Sequence, residues 1–405
     1  MKDINEIRAD FPILQRKIYG KPLIYLDNGA TTQKPQCVLD RQEEIFTEFN
    51  GNIHRGAHFL SDASSEAYEN ARETIRSFLN AGKREEIIFT SGTTGSINGI
   101  AFSFGERYIN RGDEIIISWL EHHANIVPWQ MMCERKGAVL KVIPVNEAGE
   151  IILSEYYKLL SPITRLVAVT QASNALGTVL PLAEIISAAH AINVPVLVDG
   201  AQGIQHGTTD VTSLDCDFYV FSGHKIYGPN GIGVLYGKDR LLTELPPFQG
   251  GGDMVDKVTF EKTTYNELPF KLEAGTMNYP GAICLATAIE YVDGIGRENI
   301  EAREKDLLGY ATERLSSIKG LKIYGTAKEK ISTISFLLEN IHQYDTGLIL
   351  DKMGIAVRTG THCAQPVMDR YGIDGTVRAS LCFYNTRDEI DSLAAGLERV
   401  KLMFA

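Results

Sequence analysis

Between residues 87 and 236, short apolar runs rich in β-branched residues alternate with longer segments of helical periodicity. A chain that repeats this order is restricted to βαβ units, and so to a mostly parallel sheet with helices on its faces. The predicted strands lie at 87–89, 114–117, 139–143, 166–169, 196–198, 218–221 and 232–236. A helix is predicted over 182–192. The fold class is therefore α/β, with a seven-stranded sheet in a large domain.

After residue 295 the pattern changes. A charged amphipathic helix is predicted over 301–318, short strands near 321–324, 332–338 and 355–358, and a closing helix from about 387. Thr386 and Glu389 form a capping-box pattern at the start of that last helix. We expect a smaller C-terminal α+β domain over 296–405, a large domain over 21–295, and an N-terminal segment, 1–20, that packs on the small domain.

Charge and cysteine usage exclude several classes of function. The chain has 40 Lys and Arg against 51 Asp and Glu, a net charge of -11, so we expect neither a nucleic-acid nor a membrane partner but a small-molecule substrate. The six cysteines form no C-x-x-C pair, so no metal site is predicted. The charged N-terminus and the lack of a long apolar run predict a soluble cytoplasmic protein.

Polar side chains follow five of the predicted strands. They are Thr93 and Thr94, then Glu121, His122 and His123, then Ser173 and Asn174, then Asp199 and Gln202, and finally Ser222, His224 and Lys225. In an open parallel sheet, ligands bind at the carboxyl ends of the strands. The sequence therefore predicts that these side chains share one edge of the sheet and form a site there.

Each of these features also has a purely structural interpretation. The Gly-Thr-Thr turn could simply cap a helix, and its alternative is a phosphate-binding turn. His122 and His123 could be ordinary surface or core histidines. Lys225 could be a solvated loop residue, or a desolvated amine that forms Schiff bases. Asp199 follows a buried strand and must find a partner. Carboxylate, phosphate-binding turn and lysine together suggest pyridoxal 5'-phosphate.

Six stretches in order carry a family resemblance across essentially the whole chain. They are Leu26-Asp27-Asn28 with Ala30-Thr31-Thr32, Asn52-Ile53-His54-Arg55-Gly56, Glu121-His122-His123-Ala124-Asn125, Asp199-Gly200-Ala201-Gln202, Ser222-Gly223-His224-Lys225, and Arg358-Thr359-Gly360-Thr361-His362-Cys363-Ala364-Gln365-Pro366. The chain resembles the SufS-type (group II) cysteine desulfurases of the class V aminotransferase family. The resemblance implies the type I fold of pyridoxal-phosphate enzymes.

The resemblance also implies residue roles. Lys225 would bind the cofactor aldehyde, Asp199 would pair with the pyridine nitrogen, His122 would stack on the ring and act in proton transfer, and Gln202 would bind the phenolic oxygen. Thr93, Thr94, Ser222 and His224 would hold the phosphate, and Thr276 would reach the phosphate of a neighbouring subunit in a homodimer. The residues implied for substrate binding are Arg378, Asn174, Arg358 and His54.

Cys363 is the residue on which the reaction depends. A single cysteine is most often a buried inert thiol, but this one lies in a polar segment beside His362 and near Arg358. The resemblance implies that L-cysteine is converted to L-alanine, with a persulfide on Cys363 that passes to an acceptor protein of SufE or SufU type for iron–sulfur cluster assembly. The alternatives are a selenocysteine lyase and, from another class, a catalytically silent assembly scaffold.

Overall fold

The structure, a computed structural model, describes residues 3–404. The strands in this range are β1 Lys17–Ile18, β2 Lys21–Pro22, β3 Ile24–Tyr25, β4 Ile87–Thr90, β5 Glu114–Ser118, β6 Val139–Ile143, β7 Thr164–Thr170, β8 Val196–Asp199, β9 Phe218–Ser222, β10 Gly233–Gly237, β11 Val255–Val258, β12 Thr263–Tyr265, β13 Leu321–Tyr324, β14 Thr333–Leu338, β15 Ile355–Ala356, β16 Arg358–Gly360 and β17 Thr376–Ser380.

The α-helices of the same range are α1 Ile4–Ala9, α2 Gln36–Glu48, α3 Phe59–Leu79, α4 Thr93–Tyr108, α5 Val127–Lys136, α6 Leu153–Leu159, α7 Leu182–His190, α8 Val211–Leu214, α9 Asp239–Glu244, α10 Tyr279–Ile295, α11 Arg297–Ser316, α12 Gln343–Asp351, α13 Gln365–Tyr371 and α14 Arg387–Met403. Short 3-10 turns cover Pro12–Gln15, Arg84–Glu86, His123–Asn125, Gly223–Lys225 and Phe270–Leu272. None of these helices combines the length and the apolar character that crossing a bilayer requires.

The central sheet has seven strands in the order β4-β10-β9-β8-β7-β5-β6, and only β10 runs antiparallel to its neighbours. Successive residues of a strand pack into different cores. Ile115 and Ile117 lie in the core on one face of the sheet, and Ile116 lies in the core on the other face. Burial on both faces explains why these strands read as continuous apolar runs. The predicted α/β fold with a mostly parallel seven-stranded sheet is confirmed.

The C-terminal part has its own antiparallel sheet, in the order β13-β14-β17-β16, packed against α11, α12 and α14. The capping box predicted at Thr386 and Glu389 is present, with Glu389 N–H donating to Thr386 Oγ1. The helix predicted over 301–318 begins earlier, because Gly296 at φ 91° ends α10 and the next helix starts directly after it.

The strand predicted at 355–358 is instead two short strands with different partners. β15 pairs in parallel with β3, near the N-terminus, whereas β16 pairs with β17. Leu26 is also buried in the C-terminal core. Chain residues near 24–27, expected in the large domain, therefore lie against strands of the C-terminal part. The three domain ranges themselves stay a prediction.

The N-terminal segment contacts both parts of the chain. Arg8 donates to the carbonyl oxygen of Tyr384 at 2.7 Å and pairs with Glu389 at 2.8 Å, both in the C-terminal part. Phe11 is fully buried and packs edge-on against Tyr227 of the large sheet's loop region. The segment thus lies between the two parts rather than on one alone.

Candidate active site

Lys225 ends the short turn that follows β9, at the carboxyl edge of the central sheet. Its Nζ donates to the carbonyl oxygen of Gly29 at 2.6 Å and to that of Ala30 at 3.0 Å. Burial, with the positive charges of Arg378 and Arg358, lowers the pKa of the Lys225 amine to about 7. A large fraction of this amine is therefore neutral near neutral pH, as a nucleophile for an aldehyde must be.

Asp199 is the last residue of β8 and is 3% exposed. Its Oδ1 accepts a hydrogen bond from Ala201 N–H at 2.9 Å. Burial raises the pKa of this carboxyl to about 6, and the positive charge of Lys225 acts in the opposite direction. A cationic partner at this carboxylate would complete the compensation of its buried charge.

The N-terminus of α4 faces the end of β9. Gly92, with φ 136°, precedes the helix, and the Thr93 backbone N–H and hydroxyl both lie 2.8 Å from Ser222 Oγ. A Cβ on Gly92 would lie 3.2 Å from the same oxygen, so the turn needs glycine both for φ and for space. Thr94 is exposed in the same first turn. Hydroxyls and free helix N–H groups form a site suited to phosphate.

Two histidines near this edge are kept neutral. Burial and Lys225 lower the pKa of His224 to about 4, with a smaller effect of Lys34. Burial, Lys225 and other cations likewise lower the pKa of His122 to about 4. His122 Nδ1 accepts a hydrogen bond from Ala124 N–H at 3.0 Å, so the proton of this neutral ring lies on Nε2.

Arg378, in β17, is 1% exposed and is bonded on two sides. Its Nη1 donates to the Asn174 carbonyl oxygen at 2.8 Å and its Nη2 to Asp27 Oδ1 at 2.9 Å. Its Nε, and the side-chain oxygen of Asn174, are buried without a hydrogen-bond partner in the described part of the chain. A guanidinium with a free donor next to an amide suits a carboxylate ligand.

Cys363 lies between β16 and α13, and its half-buried thiol is 3.8 Å from Arg358 Nη2. The residue before it, His362, is buried and donates or accepts at Thr376 Oγ1 over 2.8 Å, and its carbonyl oxygen accepts from Asn174 Nδ2 at 2.5 Å. Burial raises the pKa of every other cysteine thiol in the chain: Cys37, Cys133, Cys216, Cys284 and Cys382. Cys363 is thus distinguished by a cation at its sulfur.

Two of the predicted site residues lie apart from this group. His54 is exposed and packs edge-on against Tyr68 and Phe270, with Glu69 at 3.9 Å. Thr276 is exposed beside a cavity of about 400 Å³ that the first turn of α4 also lines. Within residues 3–404 neither side chain forms a hydrogen bond to Lys225, Asp199 or Cys363, and their roles stay predictions.

The structure also adds residues that the strand-end argument did not identify. Asp27 is the ion-pair partner of Arg378, and the Gly29 carbonyl oxygen accepts from both Lys225 and Gln202 Nε2, the latter at 2.8 Å. His123, which the strand-end argument did include, contacts the Cys363 segment through its backbone and its ring. Asp27 and Gly29 fall inside or beside a stretch that carries the family resemblance, which is the only sequence signal for them.

The donor set fits pyridoxal 5'-phosphate. Lys225 offers an amine for the aldehyde, Asp199 a buried carboxylate for the ring nitrogen, and the α4 N-terminus with Ser222 a phosphate site. Gln202 Oε1 is buried without a hydrogen-bond partner among the described residues, as expected of an amide that belongs beside a further polar group.

Comparison with known proteins agrees with this interpretation. The Aminotransferase class-V family matches residues 24–393. A cysteine desulfurase from Synechococcus elongatus is 52% identical over 98% of this chain, which spans 64% of that protein's length, and one from Cronobacter sakazakii is 48% identical over 98% of both chains. The crystal structure of the cysteine desulfurase CsdA (S-sulfonic acid) from Escherichia coli has a TM-score of 0.93 and 38% identity, and covers 100% of this chain and 99% of that one.

Proposed function

This chain belongs to the class-V aminotransferase family, and we propose that it is a cysteine desulfurase that converts L-cysteine to L-alanine and keeps the sulfur as a persulfide on Cys363. One observation carries the proposal. Asn174 binds Arg378 through its carbonyl oxygen and the Cys363 segment through its side-chain amide. The group suited to a substrate carboxylate and the nucleophilic cysteine are therefore joined by one residue.

The cofactor is pyridoxal 5'-phosphate, which when bound withdraws electrons from the substrate Cα. Lys225 would hold its aldehyde, Asp199 its ring nitrogen, and Thr93, Ser222 and His224 its phosphate. Asp199 remains ionised above a pH of about 6, so its negative charge is present under neutral conditions. That charge favours a protonated ring nitrogen.

Lys225 is suited to remove the substrate Cα proton. A lysine whose pKa lies near 7 accepts a proton readily at neutral pH, whereas an ordinary lysine is already protonated. The carbonyl oxygens of Gly29 and Ala30 accept from the Lys225 amine and keep it at the site when it is not bonded to the aldehyde. Arg378 orients the substrate through its carboxylate.

The sulfur transfer involves one bond formed and one broken. The Cys363 sulfur, which lies 3.8 Å from Arg358 Nη2, attacks the substrate sulfur as a thiolate and forms the S–S bond, while the substrate Cβ–S bond breaks and its electron pair stays on carbon. Protonation of that carbon gives alanine. Neutral His122, with its proton on Nε2, can donate a hydrogen bond to the substrate sulfur. No external oxidant is required, because the substrate Cβ, which keeps the electron pair and is protonated, is reduced as the two sulfur atoms are oxidised to the persulfide.

The short segment around Cys363 supports dependence on a protein acceptor. Only Thr361 and His362 separate the end of β16 from Cys363, and α13 begins two residues later. A tether of this length extends by only about 3.3–3.6 Å per residue, so the persulfide stays near the cofactor. We therefore propose an acceptor of SufE or SufU type that brings its own cysteine to the site, for iron–sulfur cluster assembly in the cytoplasm, and a homodimer in which Thr276 reaches the neighbouring site.

The proposal is tested by incubating the cofactor-loaded protein with L-cysteine and measuring alanine, together with the mass of the Cys363 peptide. We expect one alanine per chain and one additional sulfur on that peptide, and neither in Cys363→Ser, which keeps the cofactor absorption. Alanine formed only from selenocysteine would identify a lyase instead. A protein that produces no alanine from either amino acid would be a scaffold, contrary to the proposal.

A further inference from the structure

The Cys363 segment is held at three positions by residues from the loops that follow β5 and β7. Asn174 Nδ2 donates to the His362 carbonyl oxygen at 2.5 Å. The His123 backbone N–H donates to the Cys363 carbonyl oxygen at 2.8 Å, and the His123 ring Nε2 accepts from the Gln365 backbone N–H at 3.2 Å. The segment therefore has partners before and after the thiol, and two of the three contacts come from His123.

The backbone of this segment explains why such contacts are needed. His362 and Cys363 have φ values of 55° and 56°, so two successive residues with side chains lie in the left-handed region. This conformation is unfavourable for L-residues other than glycine, and it persists only where the surroundings hold it. The direction of the Cys363 Cα–Cβ bond, and with it the position of Sγ near Arg358, depends on that backbone conformation.

We propose that His123 is a positioning residue that holds the Cys363 backbone in its left-handed conformation, so that the thiol faces the substrate sulfur. The inference rests on the proposed function, since it assigns a role within the persulfide-forming step. His123 does not react. It acts through the Cys363 carbonyl oxygen and the first N–H of α13.

The two adjacent histidines thus have different tasks. His122 has its proton on Nε2 and lies among the charges of Lys225, Arg358 and Arg378. His123 accepts through Nε2, so its proton is on Nδ1 and its ring faces the cysteine segment. An acceptor at the position of Nε2 is the property that this role requires, and a glutamine side chain can also place an oxygen there.

The test uses cofactor-loaded variants that remove either the acceptor or the donor of the hydrogen bond from the Gln365 backbone N–H to His123 Nε2. His123→Leu removes the acceptor and His123→Gln retains one. Gln365→Pro removes the donor at the first position of α13, where proline is tolerated, whereas Gln365→Ala keeps the backbone N–H and serves as the matched control. Single-turnover persulfide formation, its dependence on L-cysteine concentration, cofactor absorption and amide exchange over 360–371 are measured.

We expect His123→Leu and Gln365→Pro each to slow persulfide formation about tenfold, as loss of one positioning hydrogen bond allows, with the half-saturating L-cysteine concentration and the cofactor spectrum unchanged. Amide exchange over 360–371 should rise in both. His123→Gln and Gln365→Ala should stay within about threefold of the parent. The double variant His123→Leu with Gln365→Pro should be no slower than either alone, because both remove one bond.

Parental rates in both His123→Leu and Gln365→Pro would overturn the inference. So would a loss in His123→Leu that Gln does not restore, or a change confined to the half-saturating L-cysteine concentration. These results are distinct from failure of the proposed function, in which the parent protein itself would form no persulfide. If His123→Leu did not fold, the comparison of Gln365→Pro with Gln365→Ala would decide.

Discussion

The rate at which the cofactor-free protein binds pyridoxal 5'-phosphate should depend on pH, and this dependence should reveal the pKa of the Lys225 amine. The amine must be neutral to attack the aldehyde, and its pKa is lowered to about 7, chiefly by burial and then by Arg378 and Arg358. We expect the capture rate to rise about tenfold from pH 6 to pH 8 and to be constant above that, following the neutral fraction of an amine of this pKa.

The size of the effect follows from the lowered pKa. At pH 8 an amine with a pKa near 7 is about 90% neutral, whereas an ordinary lysine with a pKa near 10.4 is about 0.4% neutral. The protein should therefore present about 200 times more reactive amine than an exposed lysine at that pH. A lysine peptide in solution, mixed with the same aldehyde, provides the reference.

The contribution of Arg358 can be separated with a matched pair of variants. Arg358→Met removes a positive charge that lowers the pKa of Lys225, so the midpoint of the pH profile should move upward. Arg370→Met removes a charge from the same part of the chain, but Arg370 is paired with Glu147 at 2.6 Å, and the midpoint should stay near 7. At pH 9 all three proteins should capture the cofactor at similar rates.

The assay follows the rise of the absorption band of the bound cofactor after mixing in a stopped-flow instrument. Lys225→Ala should give no such band. A parental profile that keeps rising to pH 10, as for an ordinary lysine, would refute the assigned burial of the amine. An equal shift in the Arg358 and Arg370 variants would refute the specific effect of Arg358.

Two further predictions concern the carboxylates of the site. Asp27→Asn keeps a hydrogen-bond acceptor but leaves the buried Arg378 without its counter-charge, so it should lower the free energy of unfolding by about 3 kcal/mol in guanidinium titrations. The control Asp306→Asn breaks the exposed pair with Arg387 and should lower the free energy of unfolding by less than about 1 kcal/mol. Equal losses would contradict the assigned difference in burial. The carboxyl of Asp199 is neutral below its raised pKa of about 6 and Lys225 is protonated below its pKa of about 7, so cofactor retention on dialysis should weaken in the parent as the pH falls from 7 to 5. Asp199→Asn should retain less cofactor at pH 7 and show a weaker pH dependence than the parent, because only Lys225 then contributes.

The sequence could predict which residues lie at the edge of the sheet, because an apolar strand and the polar residues after it can be recognised locally. Asp199 and Ser222 end apolar strands and Lys225 lies in the turn after one, and the rule for parallel sheets then brings them together without any knowledge of packing. The seven strands were found for the same reason, since their burial on both faces gives continuous apolar runs. Their limits differ by a few residues, because strand ends are set by neighbouring strands and not by composition.

The short strands of the C-terminal part were less predictable. One strand was predicted near 355–358, yet β15 and β16 belong to different sheets, because each is too short to be recognised without its partner. The partner of β15 is β3, about 330 residues earlier in the chain. Pairing over such a separation depends on how the two parts of the molecule pack, and no local pattern encodes it.

Gly29 shows most clearly what sequence reasoning could not reach. Its carbonyl oxygen accepts from Lys225 and from Gln202, its N–H donates to Ser380 Oγ at 2.7 Å, and a Cβ at this position would lie 3.2 Å from the Arg378 guanidinium. Gly29 thus forms hydrogen bonds with residues 173, 196 and 351 positions away in the chain, which are Gln202, Lys225 and Ser380. The sheet determines which side chains meet at its edge, but the segment that holds them at bonding distance comes from elsewhere in the chain. A substitution at Gly29 should therefore affect both Lys225 and Arg378, although neither is its neighbour in sequence.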